Sequence, residues 1–177
     1  MSFSIIAAVD EKNGIGKNNH IPWHLSGDFK HFAKITKTAQ DPAKQNAVVM
    51  GKNTWDSLPD KYKPLPGRLN VVLVKEGPIN LPENVLQYSS FDQVLENLET
   101  DKTIENIFII GGGMLYQSTI NHLKCAKIYL TKIDQDFDCD TFFPEIPDDF
   151  TLINQSDKMV ENNINYRFLE FQNKSKT

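Results

Sequence analysis

Three runs in this chain, AVVM at 47–50, NVVLV at 70–74 and IFII at 107–110, are apolar almost without interruption. A strand with one face in water alternates polar with apolar residues. Continuous runs instead predict strands covered on both faces, as in a parallel sheet. The same pattern predicts strands over Ser4–Val9, Ala47–Met50, Asn70–Val74, Val85–Tyr88, Ile107–Ile110 and Ala126–Ile133. Helical patterns fall between them, over Asp28–Thr38, Phe91–Leu98 and Met114–Leu123, with a short helical turn after Asn53. Parallel neighbours need crossover connections, so the alternation predicts an α/β layered fold. TLINQS and NYRFLEF close the chain, and the polar VENNIN between them leaves no room for a crossover helix. That predicts an antiparallel hairpin on one edge of the sheet, followed by a frayed NKSKT tail.

Length and charge narrow the function classes. The 177 residues fit one domain, 1–177, and the net charge of −4 argues against a nucleic-acid or anionic-membrane partner. No apolar run reaches the roughly 18 residues of a membrane-spanning helix. The start, MSFSIIAAVDEK, lacks a signal-peptide pattern. Cys125 and Cys139 form no CxxC pair, which fits a reduced, cytoplasmic protein in which the sequons at Asn154 and Asn173 are without consequence. His20 and His24 are four apart, but Pro22 interrupts them and no HExxH exists, so no metal site is expected. No GxSxG and no catalytic-cysteine signature occurs.

Several segments carry chemistry. In IPWHLSGDF, Ser26 is a fair helix N-cap, which puts Asp28 in the first turn, where the helix dipole alone accounts for a carboxylate. Asp28 and Phe32 also share a helix face, with Phe29 beside them, and an acid on an aromatic wall suits a flat ligand offering two N–H donors. Both readings stand at this point. IFIIGGGMLYQ delivers three glycines from a buried strand to a helix start that can bind phosphate. Tyr116 stands where a dinucleotide fingerprint needs its third glycine. A tight turn without a ligand explains the glycines too. VVMGKNTW and VVLVK end two further strands in Gly51, Lys52, Thr54 and Lys75, and open α/β sheets bind ligands at such ends. GIGKNN lacks the residues of a P-loop and is read as a flexible loop able to cover a site. PLPGR presents Arg68 before a buried strand. Such an arginine is usually solvated, but its fork suits a ligand carboxylate.

The ordered series IIAAVD, GIGKNNHIPWHLSGDF, VVMGKNTW, PLPGRLNVVLV, IFIIGGGMLY, IYLTKID and DTFFP resembles dihydrofolate reductase of the bacterial and vertebrate chromosomal type. It runs from Ile5 to Pro144, with the closing hairpin also in place, and the length leaves no room for a fused thymidylate synthase. The resemblance implies a three-layer sandwich: a mostly parallel eight-stranded central sheet with an antiparallel C-terminal edge hairpin and helices on both faces. It implies a monomer that reduces 7,8-dihydrofolate with NADPH, by hydride transfer from nicotinamide C4 to pterin C6, and that binds antifolate inhibitors.

Carried across by motif, Asp28 would bind the pterin 2-amino group and N3, with Thr131 supporting it through water and Trp23 holding a water beside the ring. Ile6, Ala7, Phe29, Phe32, Leu58, Leu65 and Ile110 would line the folate pocket, and Arg68 would grip the glutamate carboxylate. Ala8 and Ile15 would border the nicotinamide, within a cofactor-side loop that includes Gly16 and Asn19. Gly51, Lys52, Asn53 and Thr54, with Gly111, Gly112, Gly113, Met114, Leu115 and Tyr116, would hold the pyrophosphate region. Leu73, Val74 and Lys75 would flank the adenosine, and Lys52 and Lys75 would take the 2′-phosphate.

Pterin N5 gains a proton as C6 gains hydride, yet the carboxylate of family members lies on the far side of the ring. Asp28 is therefore expected to orient and polarise the pterin while water delivers the proton, with its pKa raised by desolvation. Ala33 and Met114 depart from residues that some relatives use for the glutamate tail and the cofactor phosphate, which shifts those tasks to Arg68 and to Lys52 and Lys75. Two rivals remain: the pyrimidine reductase of riboflavin synthesis, which does not explain PWHLSGD and PLPGR together, and a non-catalytic NADPH- or folate-binding module.

Overall fold

The structure is a computed structural model in which residues 1–176 are described. The apolar runs are strands of one sheet: β1 (Phe3–Val9), β3 (Gln45–Gly51), β4 (Leu69–Leu73), β5 (Val85–Tyr88), β6 (Ile104–Gly111) and β7 (Cys125–Ile133), all paired in parallel. The small strands β2 (Gly14–Gly16) and β8 (Thr141–Phe142) form a separate antiparallel pair. The helices are α1 (Ser26–Lys37), α2 (Lys52–Ser57), α3 (Phe91–Thr100) and α4 (Gly113–Thr119). Helix α4 stops short of the expected Leu123. Thr119 turns its hydroxyl back onto the Leu115 carbonyl at 2.6 Å, and a turn from Thr119 to His122 leads into β7.

Alternate residues of each central strand serve opposite faces. Ala47 and Val49 of β3 and Ile107 and Ile109 of β6 join Val94, Leu95 and Leu98 of α3 and Leu115 and Tyr116 of α4 in one core. Val48, Met50 and Phe108 join Trp55 of α2 in another, with Phe32 and Ile35 of α1 packed against it. Helices thus cover both faces, as a parallel sheet requires. Among the described residues no helix is long and apolar enough to cross a membrane.

The sheet order is β10-β11-β7-β1-β6-β3-β4-β5, where β9 (Phe150–Gln155), β10 (Met159–Glu161) and β11 (Ile164–Asn173) form the antiparallel C-terminal edge. VENNIN is more than a loop. It holds the last two residues of β10, the first two of β11 and, between them, a two-residue turn, Asn162–Asn163, with φ of 53° and 61°, values that asparagine tolerates better than most residues. Strands β9 and β10 pair with successive parts of β11, so nine strands occupy eight ranks. Nor does the tail fray through Lys176. Asn173 is buried, its amide donates to the Cys125 carbonyl at 3.2 Å, and Lys174 to Lys176 form a 3-10 turn.

The GIGKNN segment, expected to be a flexible loop, is hydrogen-bonded to the segment around Asp140. Besides the β2–β8 pairing, the Asn18 N–H donates to Asp140 Oδ2 at 2.7 Å, and the Asp140 N–H donates to the Gly16 carbonyl at 3.0 Å. Beneath it lies the fully buried Asp10. Its Oδ1 accepts from the N–H groups of Lys12 (2.9 Å) and Gly14 (2.6 Å), and its Oδ2 accepts from Phe137 (3.1 Å). Burial pushes its pKa up, but these three N–H donors outweigh burial and hold the carboxyl below its ordinary value. In Asp10→Asn the amide NH2 must face an N–H donor. The variant is expected to lose about 2 kcal/mol of stability, with faster hydrogen exchange at Gly14; an unfolding curve and exchange at Gly14 like those of the parent would contradict this.

Candidate active site

Strand β6 lies between β1 and β3, so the chain runs outward on one side and returns between its first two long strands. Ligands of open α/β sheets bind at the carboxyl ends of strands around such a reversal. Helix α1 follows β1 across one face and starts near that end. Its cap position is Leu25, which makes no side-chain hydrogen bond. Ser26 is therefore the first helical residue and not the N-cap, because Glu161 of β10 supplies the capping acceptor: its carboxylate accepts from the Ser26 N–H at 2.7 Å and the Gly27 N–H at 3.0 Å.

Asp28 follows in the first turn, only 8% exposed. Strand β7, with Thr131 in register beside Ala8 of β1, places the Thr131 hydroxyl 2.7 Å from Asp28 Oδ1, to which it donates directly and not through water. Desolvation pushes the Asp28 pKa up to about 6; the Thr131 bond opposes this and the charge of Glu161 adds to it. Asp28 thus sits in the first turn, as the helix-dipole reading requires, and is also withdrawn from water, as a ligand-binding acid would be.

One turn on, Phe32 packs with Leu58 and Ile110 against buried Ile6, Leu65 and Trp55, giving an apolar wall beside the acid. Arg68 is buried, donating from Nη1 to Thr36 Oγ1 at 2.5 Å and from Nε to the Pro66 carbonyl at 3.2 Å, with its guanidinium 5.7 Å from the Phe32 ring centroid. Desolvation lowers its pKa, and both acceptors are neutral. Trp23 is buried with Leu25, Ile133 and Tyr166, edge-on to Phe137 at 5.2 Å, and its indole N–H has no hydrogen-bond partner among the described residues.

Two residues expected to line the same pocket are not packed into this cluster. Phe29 is 41% exposed beside His24 at 5.4 Å, and Ala7 packs into the core on the opposite face.

On the cofactor side, β6 ends at Gly111, whose φ of +134° is open to glycine; a Cβ there would lie 3.1 Å from Thr54 Oγ1. A Cβ on Gly51 would have the Gly112 nitrogen (3.9 Å) and the Gly111 carbonyl oxygen (4.0 Å) as its nearest atoms, so the ends of β3 and β6 approach one another through main chain. The loop joins this group: Asn19 Nδ2 donates to the Asn53 carbonyl at 3.4 Å, and Ile15 reaches toward Gly113. Leu115 and Tyr116 point inward, and the buried Tyr116 hydroxyl donates to the Ile6 carbonyl at 2.8 Å. Met114 is 74% exposed. A cleft of about 480 Å³ opens between α4 and β8, lined by Gly113, Met114, Gln117, Ser118, Asp140, Thr141 and Phe142. Of these, Gly113 and Met114 are among the site residues expected from sequence; Gln117 and Ser118 lie one helical turn beyond them, and Asp140, Thr141 and Phe142 come from a distant segment. Leu73 and Val74 are largely covered, Lys75 is exposed, and Lys52 is ion-paired with Asp56. No group of three or more candidate metal ligands occurs among the described residues.

Fold and site define an α/β protein with a buried acid, an apolar wall and a glycine-lined strand end around one sheet reversal. A family model described as dihydrofolate reductase matches residues 2–173. The chain is 41% identical over 179 residues to the dihydrofolate reductase of Heliothis virescens, with 95% of each chain covered. It is 43% identical over 153 residues to that of Drosophila melanogaster, with 85% of this chain and 83% of the relative covered. It also matches 33% of the length of a putative bifunctional dihydrofolate reductase-thymidylate synthase of Oryza sativa, at 45% identity over 89% of this chain. The chain belongs to the dihydrofolate reductase family.

The raised pKa of Asp28 has a stability consequence. The folded protein holds this proton more tightly than the unfolded chain does. The stabilisation is full below about pH 4 and is lost as pH rises through about 6. Asp28→Asn cannot ionise. Without ligands it is expected to be more stable than the parent by about 2 kcal/mol at pH 8 and no more stable near pH 4. Denaturant unfolding at the two pH values checks this, and a difference independent of pH would refute it.

Proposed function

We propose that the chain reduces 7,8-dihydrofolate to 5,6,7,8-tetrahydrofolate, acting as a single-domain monomer with NADPH as reductant. The observation that carries this reading is the buried Asp28–Thr131 pair beside the wall of Ile6, Phe32, Leu58, Leu65 and Ile110. A pterin offers its 2-amino group and N3 side by side, and two carboxylate oxygens can accept from both. The Thr131 hydroxyl engages one oxygen and so restrains the plane of the carboxylate before ligand arrives. Asp28 then orients and polarises the ring. The proton for N5 comes from water on the other side, and the unpartnered Trp23 indole N–H is suited to hold a water beside the pterin. Among the described residues the Arg68 guanidinium donates to neutral acceptors, leaving its charge for the carboxylate of the glutamate tail.

Bound NADPH supplies the hydride, from nicotinamide C4 to pterin C6. The strand ends fit such a group, since Gly51, Gly111 and Gly112 bring main chain together there, and a Cβ on Gly111 or Gly112 would lie 3.1 or 3.2 Å from Thr54 Oγ1. Ala8 and Ile15 would border the nicotinamide, with Gly16 and Asn19 on the loop beside it, and Asn53, Thr54, Gly113 and Met114 would hold the pyrophosphate. Leu73 and Val74 support the adenosine. Lys75 is exposed and carries the 2′-phosphate together with Lys52, which must exchange Asp56 for the ligand.

Oxidation of NADPH that depends on added dihydrofolate tests the reading, and its absence would overturn it. Asp28→Asn is expected to bind folate yet lose hydride transfer by about 100-fold at neutral pH; near-parental single-turnover rates would remove Asp28 from the chemistry. Lys52→Ala and Lys75→Ala are each expected to weaken NADPH about tenfold while leaving NADH affinity unchanged. Equal losses for both cofactors would take the phosphate away from these lysines.

A further inference from the structure

The N-terminus of α1 is left open by its own neighbourhood, since Leu25 at the cap position offers no acceptor. The acceptor arrives from the far end of the chain. Glu161 Oε1 takes the Ser26 N–H at 2.7 Å and Oε2 takes the Gly27 N–H at 3.0 Å. Strand β11 presses on the same turn, because a Cβ on Gly27 would lie 2.1 Å from the Tyr166 hydroxyl and 3.4 Å from Glu161 Oε2. Strand β11 is also the antiparallel neighbour of β7, pairing Phe168 with Thr131. One hairpin therefore braces both the helix turn that bears Asp28 and the strand that bears its hydroxyl partner.

We propose that Glu161 is a positioning residue for the reaction: seated on the first two N–H groups of α1, it fixes Asp28 against Thr131 and cancels the field of the helix end. This rests on the reading of Asp28 as the pterin-binding acid. The free N–H groups of a helix start carry positive partial charge, which favours an ionised carboxylate in the first turn. An anion placed on those groups removes that preference and adds its own repulsion.

The N–H donors of Gly27 and Ser26 hold the Glu161 carboxyl below its ordinary value, so it is charged where Asp28 titrates. The other groups around Asp28 are of different character. Thr131 on β7 is neutral. Burial pushes up the hydroxyl pKa values of Tyr116 on α4 and Tyr166 on β11, so both stay neutral. His24 lies near Glu161, His31 is stacked on Phe168 at 3.7 Å with its pKa lowered by burial, and Lys30 and Lys34 are exposed. Among the described residues, Glu161 is the anion whose charge acts on Asp28.

Glu161→Gln keeps the size and one acceptor oxygen but loses the charge. Asp28 is followed without substrate or cofactor, through the carboxyl infrared band that Asp28→Asn lacks. Its midpoint is expected to fall by about half a pH unit in Glu161→Gln, and the pH–rate profile of hydride transfer to move equally far in the same direction. Glu161→Asp keeps the charge and is expected to stay within about 0.2 unit of the parent. A midpoint that stays put in Glu161→Gln, or falls equally in both variants, would reduce Glu161 to a helix cap and overturn the proposal. Should Glu161→Gln not fold, the parent is titrated at about 0.05 M and about 0.5 M salt. Screening of Glu161 is then expected to lower the midpoint, and no movement overturns the proposal. The infrared titration needs no turnover, so its failure is distinct from a failure of the reductase reading.

Discussion

A carboxylate withdrawn from water beside an apolar wall is costly unless something meets it. Asp28 is met by one hydroxyl, 2.7 Å away, and that single bond does not offset burial, since the pKa still rises to about 6. The surrounding architecture keeps the acid in this state. Helix α1 is pinned by the packing of Phe32 and Ile35 and by a cap from β10, and β7 carries Thr131 between two paired neighbours. A group so poorly compensated, held in a fixed place, is pre-organised for a ligand that brings the missing donors.

The sheet reversal explains why substrate and cofactor functions can be adjacent without sharing residues. Side chains of the α1 face (Ile6, Phe32, Ile110, Thr131) build the acid's surroundings, while the ends of β3 and β6 contribute mostly main chain at Gly51 and at Gly111–Gly113. Tyr116 ties the two. It starts from the glycine turn, crosses the core and donates to the carbonyl of Ile6, the residue before Ala7 and Ala8 in β1.

Legibility in the sequence followed the range of the interactions. The buried strands were plain because their signal is local and periodic, and Val85–Tyr88 has the boundaries that its pattern predicted. Asp28 and Phe32 shared a face because helical spacing decides that. What escaped was set by distant partners. Ser26 looked like a cap until a glutamate 135 residues away took the position's function. Strand β10 hid in a polar segment because an edge strand needs no apolar run, although Asn162–Asn163 carried turn chemistry that could have divided it. The partner of Arg68 was also hidden, since nothing near it in the sequence announced Thr36. The GIGKNN segment looked mobile because Asp140, its anchor, lies 122 residues from Asn18.

The same distances indicate how the site is made dependent on the whole fold. Thr131 is 103 residues from Asp28, and Glu161 is 134 from Gly27, so both contacts depend on elements far apart in the chain being brought together. The edge sheet thereby does more than terminate the core. Its outer strands are largely exposed and bury little apolar surface, so packing alone explains them poorly. Their best-defined polar contact with the rest of the molecule is with the first turn of α1. If the hairpin were only a cover for β7, an apolar strand would serve better than one ending in Glu161. An ionised side chain there, set on two backbone donors beside a buried acid, is explained by what it does to that acid.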